Sequence, residues 1–177
     1  GEAITGVAYN LSKDEGDAMR EIISAVEDAG SVIESAGGSL EWYSAVTGTL
    51  AETVNATGSE VGGAMRMITA RTLQQKEAFD ELNDSGEETE EAMANAEKAL
   101  TNLGISIRGS DGDLRSIEEV LGDVASKWQT LSDSDQQFVA EKLAGTNRRS
   151  YFMALMENYQ RVIDLQDLSM QSEGIMM

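Results

Sequence analysis

The chain has 177 residues, with 32 acidic side chains against 13 basic ones and a net charge of −19, a balance that opposes nucleic acid and anionic lipid as partners. Cysteine, histidine and proline are all absent. That excludes disulfides, Ser-His-Asp or Cys-His nucleophiles and an ordinary zinc site, and it leaves nothing to remove a backbone donor inside a helix.

The length fits one domain or two small helical groups. With 2 Trp, 4 Tyr and 3 Phe, any core must be built mostly from Ala, Leu, Val, Ile and Met, and 17 glycines supply the punctuation. No apolar run approaches the ~18 residues of a membrane span. The Gly1 start, and the ending Ile175-Met176-Met177 in mid-pattern, read as an excised piece of a longer chain, with frayed ends over 1–11 and 166–177.

In chain order, apolar residues recur in steps of three and four. Ala18, Ile22, Ala25, Ala29, Val32 and Ile33 share one face. After the Gly37-Gly38 break come Leu40, Tyr43, Val46, Leu50 and Val54, then Val61, Met65, Ile68 and Thr72. Ala92, Ala96, Ala99, Leu100 and Leu103 follow. Ile117, Val120, Leu121, Val124, Trp128 and Leu131 form the clearest stripe, which Phe138, Val139, Lys142 and Leu143 continue. Phe152, Leu155, Tyr159 and Val162 run along a last helix. This is the helical repeat. Five capping-box patterns agree with it: Ser12/Glu15, Thr57/Glu60, Ser85/Glu88, Ser116/Glu119 and Ser132/Asp135.

The period changes once. Ile105 and Ile107 alternate with Ser106 and Arg108, and Gly109, Ser110, Asp111 and Gly112 follow. Asp111-Gly112 supplies the positive φ of a tight hairpin turn. The fold class is therefore mainly α: a bundle of several short amphipathic helices with one small β-hairpin or extended loop near 104–115. The acidic, glycine-containing stretch over 80–91 reads as a hinge. It divides the chain into an N-terminal helical group (1–80), a linker (81–91) and a C-terminal helical group with the hairpin (92–177).

Each candidate site has a functional and a plain reading. Asp111-Gly112-Asp113 with Glu118 resembles a calcium loop, but aligning Gly112 puts Ile107 and Gly109 where ligand oxygens belong, which favours a turn. Glu87-Glu88-Thr89-Glu90-Glu91 offers paired carboxylates, yet contiguous solvated acids have nothing to raise one pKa, which favours a helix start. Gly58-Ser59-Glu60-Val61-Gly62-Gly63 lacks the Lys-Ser/Thr of a phosphate loop, and helix entry or tight helix packing suits it better. Arg66, Arg71, Arg148 and Arg149 either hold an anionic partner or pair with acids of the chain. Trp42 and Trp128 read as core anchors, and Met65, Met67, Met153 and Met156 as gap fillers or an adaptable face. No catalytic, metal-binding or cofactor-binding residue is assigned, and no cofactor is expected.

The order of these features resembles the conserved region of phage tail tape measure proteins. The resemblance rests on Ile105–Arg108, turned by Asp111-Gly112 and returned through Leu114, and on Leu143-Ala144-Gly145-Thr146 leading to Phe152, Leu155 and Asn158. A third stretch is Ala56-Thr57-Gly58-Ser59-Glu60-Val61-Gly62 running to Ile68. Together they span roughly residues 37–160. The family usually continues Gly-Thr with a basic residue; here Asn147 stands before Arg148 and Arg149.

The resemblance implies a non-enzymatic scaffold of the virion tail, assembled in the cytoplasm of a bacterial host, with chain length setting tail length. Its implied partners are the tail tube protein, a tail assembly chaperone, tail-tip or baseplate proteins and further copies of the full-length protein. No direct nucleic-acid binding is implied. Gly145, Thr146, Arg148, Arg149, Phe152, Leu155 and Asn158 become the candidate interaction or structural motif. As one continuous helix the chain would span ~265 Å, at ~1.5 Å per residue. Its caps and glycine breaks instead describe a compact region. A stand-alone helical interaction module is the alternative, and a hydrolase working through carboxylates alone is a third reading.

Overall fold

The computed structural model describes residues 15–176. Among them the chain is mainly helical and holds no sheet. In order come α1 (Glu15–Ser35), α2 (Leu40–Val54), α3 (Gly58–Thr72), α4 (Lys76–Leu82) and α5 (Thr89–Asn102). Then follow α6 (Ile117–Trp128), α7 (Asp133–Ala144), a 3-10 turn (Thr146–Arg148), α8 (Arg149–Glu157) and α9 (Tyr159–Met176). No described helix is long and apolar enough to cross a membrane. The Ser12/Glu15 cap and the frayed segment 1–11 lie outside the described residues. At the other end α9 carries the helical backbone through Met176, where the sequence reads fraying from 166.

The chain forms two compact units. Among the described residues, one takes in 15–63 and 158–176; the other is Ala64–Glu157. These limits differ from a division at 81–91, because the acidic stretch lies inside the second unit. The expected last helix is also interrupted. Asn158 separates α8 from α9, and the two fall in different units.

In the first unit α2 packs against both α1 and α9. Two neighbours explain why every residue from Trp42 to Leu50 is buried, not one stripe alone. The stripe reading of α2 needs correction at its ends, where Leu40 and Val54 are 41% and 44% exposed. A dry interior favours bonded polar groups; Ser44 Oγ and Thr49 Oγ1 are buried without a partner among the described residues, and the others are paired. Thr47 Oγ1 donates to Tyr43 O (2.9 Å), Tyr43 OH to Ala25 O (3.1 Å) and Trp42 Nε1 to Tyr159 OH (2.8 Å). Ser39 caps α2 by accepting from Trp42 N–H at 3.1 Å. Ser39 lies outside the capping-box pattern because Trp42 stands where the box wants an acid.

Thr57/Glu60 forms the full reciprocal box, with Thr57 N–H donating to Glu60 Oε1 (3.0 Å) and Glu60 N–H to Thr57 Oγ1 (3.1 Å). Of the glycines that follow, Gly58 and Gly62 serve close packing. Gly58 N–H donates to the Glu21 carboxylate. A Cβ at Gly58 would lie against the Glu21 carbonyl and 2.7 Å from Ala25 N; one at Gly62 would lie 2.7 Å from Asp28 Cβ; one at Gly63 would meet nothing within 4 Å. Gly58→Ala is therefore expected to destabilise the protein by ~1–3 kcal/mol, since backbone cannot yield. Gly62→Ala should cost less, because Asp28 can move. Gly63→Ala should stabilise by up to ~1 kcal/mol, the helix-propensity gain. Urea melts of the three variants would test this ranking.

In the second unit Phe79 of α4 packs with Met67, Ala70, Ala92 and Met93. The α6 stripe is buried at Ile117, Val120, Leu121, Val124 and Trp128, whereas Leu131, past the end of the helix, is half-buried. Trp128 meets Phe152 of α8 edge-on at 6.0 Å. Ser116 and Ser132 cap α6 and α7 by accepting from Glu119 N–H (3.0 Å) and Asp135 N–H (3.2 Å). Ser85 does not cap α5. That helix starts at Thr89 behind Glu88, which makes no side-chain cap bond. Asn83 takes Ser85 for a local turn instead: its Oδ1 accepts from both Ser85 N–H (3.1 Å) and Ser85 Oγ (2.9 Å).

The hairpin near 104–115 is reduced to a single antiparallel bridge between Arg108 and Leu114. Gly112 turns it at φ 84°, and the Asp111 carboxylate accepts from Asp113 N–H at 3.0 Å. Arg115 then ties the returning chain to α6 through Asp123 (2.8 Å) and to Ser106 O (3.0 Å).

Candidate functional site

The Leu143-Ala144-Gly145-Thr146 motif is the turn between α7 and α8. Leu143 and Ala144 are buried at the end of α7. Gly145 stops the helix at φ 85°, ψ 160°, a conformation that side chains avoid. Its N–H still donates to Glu141 O (2.8 Å), and its carbonyl accepts from Arg148 N–H (3.2 Å) to start the 3-10 turn. Lack of a side chain matters here for a second reason. A Cβ at Gly145 would stand 2.7 Å from Arg71 Nη2 and 3.1 Å from its Cζ.

Arg71 is the centre of the cluster. It lies in the last turn of α3, where a cation suits the helix dipole, and is only 2% exposed. Its guanidinium grips Glu87, with Nη2 to Oε1 at 3.1 Å and Nη1 to Oε2 at 3.4 Å. It also lies over the Phe79 ring, 5.0 Å from the centroid. Gln74, at φ 61°, closes the end of α3 by donating to Arg71 O (3.2 Å) and Met93 O (2.9 Å).

A second clamp lies beside it in the chain. Arg148 holds Asp84 with both terminal nitrogens, Nη1 to Oδ1 at 3.3 Å and Nη2 to Oδ2 at 3.2 Å. Asn147 Nδ2 adds a bond to the same Oδ1 at 3.3 Å. Asn147, the residue that departs from the family pattern, therefore has a contact of its own. The acidic stretch read as a hinge is pinned by both arginines, and Lys76 pairs with Glu90 at 3.0 Å.

The arginine bond to Asp84 holds its carboxyl below the usual carboxylate range. A depressed folded-state pKa stabilises the fold above the unfolded pKa and loses that contribution as pH falls through the folded one. Asp84→Asn should therefore cost at most ~1 kcal/mol at pH 7, as for an exposed pair. The gap between variant and parent should start to narrow below about pH 4 and close as pH falls past the lowered folded-state value. Urea melts at pH 7 and pH 3 would check both.

The other motif residues divide by depth. Phe152 and Leu155 are core, Arg149 opens α8 half-buried, and Asn158 is half-buried between α8 and α9. Thr146 and Asn147 are exposed. The sequence proposes two fates for the arginines, and Arg71 and Arg148 take the internal one. Their partners stand 16 and 64 positions away, beyond the reach of helical spacing rules.

These observations define an acidic, helical protein whose Leu-Ala-Gly-Thr turn packs on Arg71 and, through Asn147 and Arg148, holds Asp84. The family model described as phage-related minor tail protein matches residues 2–145, and the chain belongs to that family. It is a structural component of a phage tail. No solved structure matches it.

Proposed function

We propose that this chain is part of a tail tape measure protein, a scaffold around which tail tube subunits polymerise and whose length sets tail length. Membership of the minor tail family supports this reading, together with the resemblance over Ile105–Leu114 and Leu143–Asn158. Described helices of 21 residues or fewer, folded into two compact units, support reading this as a packed stretch of that protein and not as its ruler. Its role is docking, through the exposed Thr146 and Asn147, to a tail-tip component, a tail assembly chaperone or further copies.

In-frame deletions elsewhere in the full reading frame should shorten tails by ~1.5 Å per residue removed, the rise of a helix. Electron micrographs of tails from deleted phage would measure this, and tails of unchanged length would end the tape measure reading. Photo-crosslinkers at Thr146 in assembling tails would identify the docked component.

A further inference from the structure

We propose that the first unit is a mechanical clasp. Docking of α9 on α2 closes a loop of chain that contains the whole second unit, so tension along the chain opens the first unit before any load reaches residues 64–157.

The argument is topological. The chain leaves the first unit after Gly63 and re-enters it at Asn158. Helix α2 precedes the excursion and α9 follows it, and the two pack together. Trp42 Nε1 donates to Tyr159 OH at 2.8 Å across this contact, and Arg161 pairs with Glu52 at 3.4 Å. Val162 and Leu165 bury the apolar face of α9. While these contacts hold, a pull on α1 and on α9 passes across the α2–α9 contact and bypasses the chain between them. Once α9 peels away, the load runs through Gly63 and Asn158 into the second unit. Both crossing points yield easily: Gly63 is a helix-interior glycine with nothing packed on it, and Asn158 interrupts the helix. The order of release depends only on this connectivity and not on the role in tail-length control. In a chain drawn out along a tube it would give stepwise extension.

The test is single-molecule stretching of the full chain, with handles on Asp17→Cys and Asp167→Cys, there being no native cysteine to compete. Two releases are expected in fixed order, the second lengthening the tether by about 33 nm at ~3.5 Å per residue. Trp42→Phe should lower the force of the first release and leave the second unchanged; Arg161→Gln gives the same reading should Trp42→Phe fold poorly. Leu121→Ala, inside the second unit, should lower only the second. One merged release, a reversed order, or a first release moved by Leu121→Ala would overturn the proposal.

Discussion

Glu87→Gln is expected to destabilise the unit formed by residues 64–157 by about 2–4 kcal/mol, far more than loss of a surface ion pair. The reason lies with the partner left behind. Arg71 is buried and always charged, and its Nε already lacks a hydrogen-bond partner. Glutamine keeps the shape of Glu87 but removes the only carboxylate on that guanidinium among the described residues. The Phe79 ring can stabilise a cation by only ~0.5–2 kcal/mol and cannot compensate. The Glu87 side chain is itself 31% exposed, so the loss should fall short of that for a fully enclosed pair. Urea melts followed by circular dichroism would measure it. Arg71→Met combined with Glu87→Gln should recover much of the loss, because the stranded charge goes too. An unchanged midpoint for Glu87→Gln alone would mean that the pair does not hold the acidic stretch. Gly145→Ala should injure the same cluster from the other side, by crowding Arg71 and straining φ.

That pair marks the limit of what the sequence discloses. Stripes that face one neighbour are legible, and α6 buries five of the six residues its stripe names, Leu131 lying half-buried past the helix end. Caps are legible where the acid follows its Ser or Thr and no closer partner competes: Thr57 and Ser116 cap, whereas Ser85 is taken by Asn83. Helix α2 is less legible, since amphipathic logic assumes one wet face and α2 is covered by two helices. The Leu-Ala-Gly-Thr turn can be found as a motif, but its reason cannot. Nothing local to Gly145 announces that a guanidinium 74 positions earlier will lie 2.7 Å from where its Cβ would be. Likewise Asn147 is a departure in the sequence and a ligand of Asp84 in the fold.

Val124→Asp should be the most damaging single change, unfolding the second unit outright. Val124 has no exposed surface and lies between Leu121 and Trp128 on the buried face of α6. The stripe offers a carboxylate there no cation, and its one side-chain donor, the Trp128 Nε1–H, unpartnered among the described residues, cannot neutralise a charge; the cost of an unpaired buried charge exceeds the ~4–5 kcal/mol at the edge of ordinary mutational effects. Leu114→Asp is the matched control. It adds the same charge to the same unit, but at a side chain 45% exposed, and should change stability by no more than ~0.5 kcal/mol. Each unit also holds one tryptophan, Trp42 in the first and Trp128 in the second. With Trp42→Phe as background, Val124→Asp should shift Trp128 emission to that of exposed indole. With Trp128→Phe as background, Trp42 should keep its buried emission, because its bond to Tyr159 and its packing lie within the first unit. Loss of both signals together would mean that the two units share one folding transition. An unshifted Trp128 would mean that the α6 stripe is not the core of the second.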